Sequence, residues 1–166
     1  MNIAKRTVMF NLFIEGEGFV GKVKSIQPPA IKKVYEELPV PGGKIKVFKG
    51  VEPLEAKFVL YEDNVNAEKS LAKLHNDPVT LIFKQARSDG KGGAPTVVHT
   101  LSGQIDQLEQ GEIDNEKGND NTFTITCTYY KKEVEGSLIH EIDLINLKYV
   151  IGGQDLSAAF KGGIGA

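Results

Sequence analysis

The residues of this chain whose types could carry chemistry are three histidines, one cysteine, two glycine–lysine segments and a run of acids. His75, His99 and His140 fall in separate parts of the chain. His140-Glu141-Ile142-Asp143 lacks the i, i+4 histidine spacing with which a helix presents two nitrogens to zinc. Cys127 alternates with threonines and has no activating neighbour in the sequence, so it reads as a core thiol rather than a nucleophile. A single cysteine also excludes an internal disulfide. Gly42-Gly43-Lys44 and Gly90-Lys91-Gly92-Gly93 lack both the longer pattern and the strand-to-helix context of a phosphate loop, and read as turns. The acids between Asp106 and Asp120 do not have the spacing of a calcium loop. No serine sits in a nucleophile elbow. The expectation is a chain that is not an enzyme, with no catalytic residues, no metal ligands and no cofactor.

The elements that must position these residues are mostly strands, because the dominant period is two. In 121–135, Phe123, Ile125, Cys127 and Tyr129 alternate with Thr122, Thr124, Thr126 and Thr128. β-branched and aromatic residues in alternation mark a half-buried strand. The same pattern occurs at 8–14, 53–61, 79–87 and 97–106. Segment 138–150 is apolar on both parities, which implies burial on both faces or a bulge near Leu144-Ile145. Glu15-Gly16-Glu17-Gly18, Asp89-Gly90-Lys91-Gly92-Gly93 and Glu135-Gly136 are hairpin signals. Pro28-Pro29 favours a strand end at a sheet edge. One helix begins at Asn64 and carries Ala67, Leu71 and Leu74 on one face, stopped by Asn76 and Pro78. A second, short helix is expected over 154–160. The fold class is mainly β: a small β-barrel or orthogonal sandwich with one packed α-helix and a short C-terminal helix.

The length of 166 residues suits one domain, 1–166. Hydrophobic residues at 40% and charged residues at 25% exclude disorder, collagen and coiled coil. A net charge of −2 argues against a general nucleic-acid binder. No window approaches the apolar length of a membrane span, and no export signal is recognised, so folding in a reducing cytoplasm is expected. The even balance hides polarity along the chain. Residues 1–50 carry nine basic side chains and four acids, whereas 101–120 carry six acids and Lys117 alone. These are two solvated surfaces of one domain, or the complementary ends of copies that meet head to tail.

Two features do not suit a monomeric sandwich. The second face of several strands is rich in Thr, Ser and Gln, as a channel wall would be, although threonine-rich strands are common. Residues 36–52 form a long, basic, Pro/Gly-marked connection bearing Val40, Ile45, Val47 and Phe48. Long connections are commonly functional or disordered. This one is too apolar for disorder, so it folds back on its own domain or reaches a neighbouring copy.

Several segments resemble one family in order and spacing. Asn11-Leu12-Phe13-Ile14-Glu15-Gly16 followed by Gly18-Phe19-Val20-Gly21-Lys22-Val23 is similar to the opening hairpin of the major tail tube proteins of contractile-tailed bacteriophages and R-type bacteriocins. Pro53-Leu54-Glu55-Ala56-Lys57-Phe58, Leu101-Ser102-Gly103-Gln104-Ile105, Cys127-Thr128-Tyr129-Tyr130-Lys131, Glu141-Ile142-Asp143 with Asn146, and Gly152-Gly153-Gln154-Asp155-Leu156 continue the resemblance to about residue 165. The chain departs from the family at Glu37-Leu38-Pro39-Val40-Pro41-Gly42-Gly43, where a Tyr-Arg-x-Gly-Gly segment is usual, and at Ser102, where an Arg is usual.

The resemblance implies hexameric rings that stack into a hollow tube, with strands of all subunits merging into one barrel. It implies lumen strands at 18–35, 45–61, 97–109 and 121–135. Parity then makes Lys22, Lys24, Glu55, Lys57, Thr100, Ser102, Gln104, Asp106, Thr122, Thr124 and Thr126 lumen-facing. Val40, Gly42, Gly43, Ile45, Val47 and Phe48 are expected to reach an adjacent subunit, and Glu112, Asp114 and Glu116 to form an acidic hairpin between rings. The implied partners are the chain itself, a tail sheath protein, a tape-measure protein, a baseplate tube-initiator, and DNA that passes without specific binding. The implied location is the virion tail, assembled in the host bacterial cytoplasm. A headless bacteriocin or type VI-like secretion tube, and a monomeric ligand-binding β-barrel, are the alternatives.

Overall fold

Alternating apolar and hydroxyl residues fold here as antiparallel sheet. The structure, a computed structural model, describes residues 4–19, 22–116 and 118–165. Its strands are β1 (Arg6–Ile14), β2 (Glu17–Gly18), β3 (Val23–Gln27), β4 (Lys33–Val40), β5 (Gly43–Val51), β6 (Leu54–Leu60), β7 (Val79–Ser88), β8 (Thr96–Gln110), β9 (Asn121–Val134), β10 (Ser137–Asp143), β11 (Lys148–Ile151) and β12 (Gln154–Asp155). Two short helices are α1 (Val65–Lys69) and α2 (Ala158–Ile164). Ten strands form one sheet in the order β12-β11-β10-β9-β8-β7-β1-β2, with β6 and then β3 joined to β9. The remaining two, β4 and β5, form a separate ribbon. The mainly-β class with one packed helix and a C-terminal helix therefore holds.

Strands β8 and β9, of 15 and 14 residues, run through two half-sheets. Residues 121–127 of β9 pair with β6, and its later residues, from Tyr129, pair with β10. Thr128 stands at the change-over as an extra residue, because Ser102 pairs with Tyr129 and Gly103 with Cys127. Such a bulge bends a strand and reverses the parity of the residues beyond it. Tyr130 rather than Tyr129 is therefore the buried aromatic, which corrects the face expected from strict alternation. Gly103 is needed opposite the bulge: a Cβ there would lie 2.1 Å from the Thr126 carbonyl oxygen.

One core lies between the half-sheets. Leu54, Ala56, Phe58 and Leu60 of β6 meet Phe123, Ile125 and Cys127 of β9, and Leu12, Ile14, Val79 and Leu81 close the cluster. Phe58 and Phe123 stack at 4.8 Å between centroids. Burying each large apolar side chain contributes about 1.5–3 kcal/mol. Asn64 caps α1 as expected, its Oδ1 accepting from the Ala67 N–H at 3.0 Å. Ala67 is buried and Leu71 half-buried. Leu74 is exposed, because α1 passes into a 3₁₀ turn at Ser70–Ala72 and then an extended Lys73.

The boundaries elsewhere shift for local reasons. Segment 138–150 is neither buried on both faces nor bulged at Leu144-Ile145; it is the hairpin β10–β11. Its turn is closed by Asp143, whose Oδ1 accepts from the Ile145 and Asn146 N–H groups at 3.1 and 3.0 Å. The C-terminal helix begins at Ala158, since Gly152 and Gly153, both at positive φ, make a hairpin turn into β12 first. The expected long connection at 36–52 is the β4–β5 ribbon, turning at Pro41-Gly42.

Candidate functional site

The polar face of one half-sheet, made by β3, β6, β9 and β8, is built from ladder rows. Glu55, Thr126 and Gln104 form one row. Lys57, Thr124 and Gln107 form the next, extended by Gln27, and Val59, Thr122 and Glu109 the third, extended by Ser25. Asp106 is a second bulge residue, between Ile105 and Gln107. Its carboxylate accepts from the Thr126 hydroxyl and, at 3.3 Å, from Gln104 Nε2. The structure thus brings Glu55, Lys57, Gln104, Asp106, Thr122, Thr124 and Thr126 together on one surface. Its ionisable groups are Glu55, Asp106, Glu109 and Lys57, three carboxylates to one ammonium.

Four residues of the expected set stand apart. Thr100 and Ser102 lie beyond the Thr128 bulge, opposite Lys131 and Tyr129. That region is an ion network rather than a hydroxyl face. The Tyr129 hydroxyl donates to Glu141 at 3.1 Å, and Lys148 pairs with Glu141 and holds its carboxyl below the usual range. Lys24 leaves the β3 register, which shifts between Val23 and Ser25, and pairs with Asp120 at 2.7 Å. Lys22 precedes β3 in a turn, its N–H donating to Phe19 O. Val20 and Gly21, and Lys117 in the acidic segment, lie outside the described residues. Gln107 and Glu109 were hidden by the Asp106 bulge, which puts odd-numbered residues on the polar face.

The β4–β5 ribbon is the second unusual surface. Every residue of β4 is exposed. Val34, Leu38, Val40 and Ile45 are exposed apolar side chains on a two-stranded ribbon, an arrangement that is marginal alone. At its tip, Val40 pairs with Gly43 beside Gly42; Leu38 pairs with Ile45. At its root, Val47 and Phe48 are half-buried on their own domain, with Phe48 edge-on to Tyr149 at 5.7 Å. Lys49 pairs with Glu36 at 2.9 Å, and Lys46 lies over the Tyr35 ring at 5.8 Å.

The third surface is the irregular segment 111–120 between β8 and β9, held at its neck by Gly111 N–H donating to Asp120 O at 2.8 Å. Glu112, Asp114 and Glu116 are exposed on it, and none pairs with a cation among the described residues. The segment is a loop rather than a regular hairpin turn, since Asp114 Oδ1 accepts from the Glu116 N–H and no ladder continues past Gln110.

Of the groups that could have carried reactions, Cys127 and His99 are spent on packing, His140 Nδ1 accepts from the Gly152 N–H at 3.1 Å, and His75 is exposed. The Cys127 thiol is buried and pushed up to about 12 by desolvation. Burial pushes His99 down to about 4, with Nδ1 at 2.8 Å from the Tyr130 hydroxyl. Among the described residues no group of His, Cys, Asp and Glu could hold a metal ion.

A family model described as phage tail tube protein FII matches residues 5–165. The chain belongs to this family. It is 26% identical over 161 residues to the major tail tube protein of Serratia phage KSP20, covering 94% of this chain and 92% of that one. It is 23% identical over 172 residues to the tail tube protein of Escherichia phage P2, covering 99% of each. Its fold is similar to chains of the PVC extracellular contractile injection system in the extended state. The sheath/tube terminator matches with a TM-score of 0.62 at 9% identity, over 79% of this chain and 97% of that one. The sheath–tube complex matches with a TM-score of 0.60 at 10% identity, over 76% and 88%. As a member of a family of structural tail tube proteins, the chain is not an enzyme.

Proposed function

We propose that this family member is the wall subunit of a contractile phage tail tube. Copies close into hexameric rings, the rings stack, and the hollow tube conducts DNA and is driven through the host envelope when the sheath contracts. The observation that carries this reading is a pair of unfinished strand edges on either side of the polar-faced half-sheet. Among the described residues, strand β3 pairs only with β6, and β8 has no partner opposite β9 beyond Gly103. Joining the β3 edge of one copy to residues 104–110 of the next removes both edges and makes a closed barrel. The hydroxyl-rich face with its excess of carboxylates then lines the bore, where it offers a polyanion no counterion-release gain.

The ribbon tip, with Val40, Gly42, Gly43 and Ile45, reaches an adjacent subunit and covers its apolar residues there. Glu112, Asp114 and Glu116 meet the basic end of a copy in the next ring. The outer surface takes a sheath protein, and the bore takes a tape-measure protein during assembly on a baseplate initiator in the host cytoplasm. DNA as cargo is favoured by the two phage relatives, which match over nearly their whole length. Negative-stain microscopy of the purified chain at high concentration is expected to show six-fold rings or tubes. A monodisperse monomer would overturn the reading.

A further inference from the structure

We infer that Lys132, set in one sheet row between His99 and His140, receives a carboxylate from the acidic segment 111–120 of a second copy in the next ring. The inference rests on the tube reading and names the cation that the acids of one ring meet in another. Strands β8, β9 and β10 place the three residues side by side, since Lys132 pairs with His99 on one side and with His140 on the other. Residues opposite one another across a ladder project to the same face. The row continues into apolar side chains, Phe83 beyond His99 and Ile151 beyond His140. The flanking rows hold Val97, Val134 and Ser137, and Leu101, Tyr130 and Ile142. None of these is a carboxylate, and Lys132 forms no ion pair among the described residues.

The ammonium therefore has no counterion of its own, although Lys132 is half-buried beside buried His99 and half-buried His140. A second donor stands next to it. The Gly152 N–H donates to His140 Nδ1 at 3.1 Å, which leaves the ring proton on Nε2. Burial first, then the positive field of Lys132, lowers the pKa of His140, so at neutral pH the ring is uncharged and donates through Nε2. An ammonium and an N–H in one row suit a carboxylate.

The occupant is argued from charge and from the ladder. Near Lys132, the cations Lys5 and Arg87 are answered by Glu135, and Lys131 by Glu133. Glu112, Asp114 and Glu116 are exposed acids without a cation among the described residues. They lie past the opposite end of the β8–β9 hairpin, beyond the pair Gln110 and Asn121. Lys132 is about 35 Å of strand from Asn121, bent once at Thr128. The segment is tied at its neck by the Gly111 N–H donating to Asp120 O, so one copy cannot bring these acids to its own Lys132. Two different surfaces at the two ends of one hairpin make a heterologous contact that repeats without closing, which is what stacking requires.

The test is a zero-length cross-link on assembled tubes of the parent chain. A water-soluble carbodiimide joins a carboxylate to an amine only where the two touch, with loss of water. Digestion and mass spectrometry are expected to find Lys132 linked to a peptide through Glu112, Asp114 or Glu116. Tubes in which Lys132 is linked elsewhere, or not at all, would overturn the docking and leave the tube reading standing. A parent chain that stays monomeric would overturn both. Lys132→Gln is expected to raise the critical concentration for stacking at least tenfold, with rings and thermal midpoint unchanged, and Lys132→Arg to stack as the parent does. Unaltered stacking in Lys132→Gln would also overturn the inference.

Discussion

Gly103 faces the Thr126 backbone so closely that a methyl group has nowhere to go, since both neighbours are main chain. Gly103→Ala is expected to destabilise the subunit by about 1–3 kcal/mol, read as a drop of several degrees in thermal midpoint. His99 makes a second prediction at this scale. Its ring lies against Phe83 and Tyr130, with centroids 5.6 and 6.0 Å away. Burial first, then Lys132 and His140, moves its folded value from 6.5 to about 4. The unfolded chain therefore binds this proton at higher pH than the folded one. The stabilisation is complete above 6.5 and is lost as pH falls toward 4. Between pH 7 and pH 5 this group removes about 2 kcal/mol, and urea titrations should show that loss in the parent but not in His99→Leu. Side-chain facing was legible where alternation is unbroken, as along Leu54, Ala56 and Phe58. It failed at Tyr129 and Gln107, because a single extra residue reverses parity and leaves no mark in composition.

At the scale of elements, the β4–β5 ribbon is held to the domain at Phe48 and free at its tip. Leu38 and Ile45 are cross-strand partners, 40% and 50% exposed. Leu38→Asp with Ile45→Asp should leave the subunit's unfolding midpoint in urea within experimental error and abolish ring formation in size-exclusion chromatography. Loss of folding together with assembly would assign these residues to the domain's own core instead. The ribbon was readable as apolar and β-prone but not as paired strands, because Pro39, Pro41 and two glycines are the punctuation of a loop. Here Pro39 sits in an exposed ribbon strand opposite Lys44. The hairpin at 138–150 was hidden for the opposite reason. Its left-handed turn position carries Leu147 rather than Gly or Asn, so the turn is marked only by Asp143 and Asn146 on either side of Leu144-Ile145.

Charge is unevenly distributed over the molecule: among the described residues Glu112, Asp114 and Glu116 of the segment 111–120, and Lys44 and Lys46 of β5, form no ion pair. In the proposed tube, stacking of rings should weaken as salt rises from about 50 to 500 mM, because the Debye length falls to a few ångströms. Triple reversal of Glu112, Asp114 and Glu116 to Lys should shorten tubes seen by microscopy while rings persist; tubes of parent length would exclude an inter-ring role for these acids. The class of fold was legible from period-two patterning and the ordered family motifs. Which edges lie open was not, since strand order depends on pairings distant in sequence. The backbones of β8 and β9 continue without a break from one half-sheet into the other. A thrust or pull along them loads many hydrogen bonds in shear together, instead of peeling them one by one. The subunit is stiffest in the direction of its longest strands, and mechanical failure should begin at the short pairings of β2 and β12.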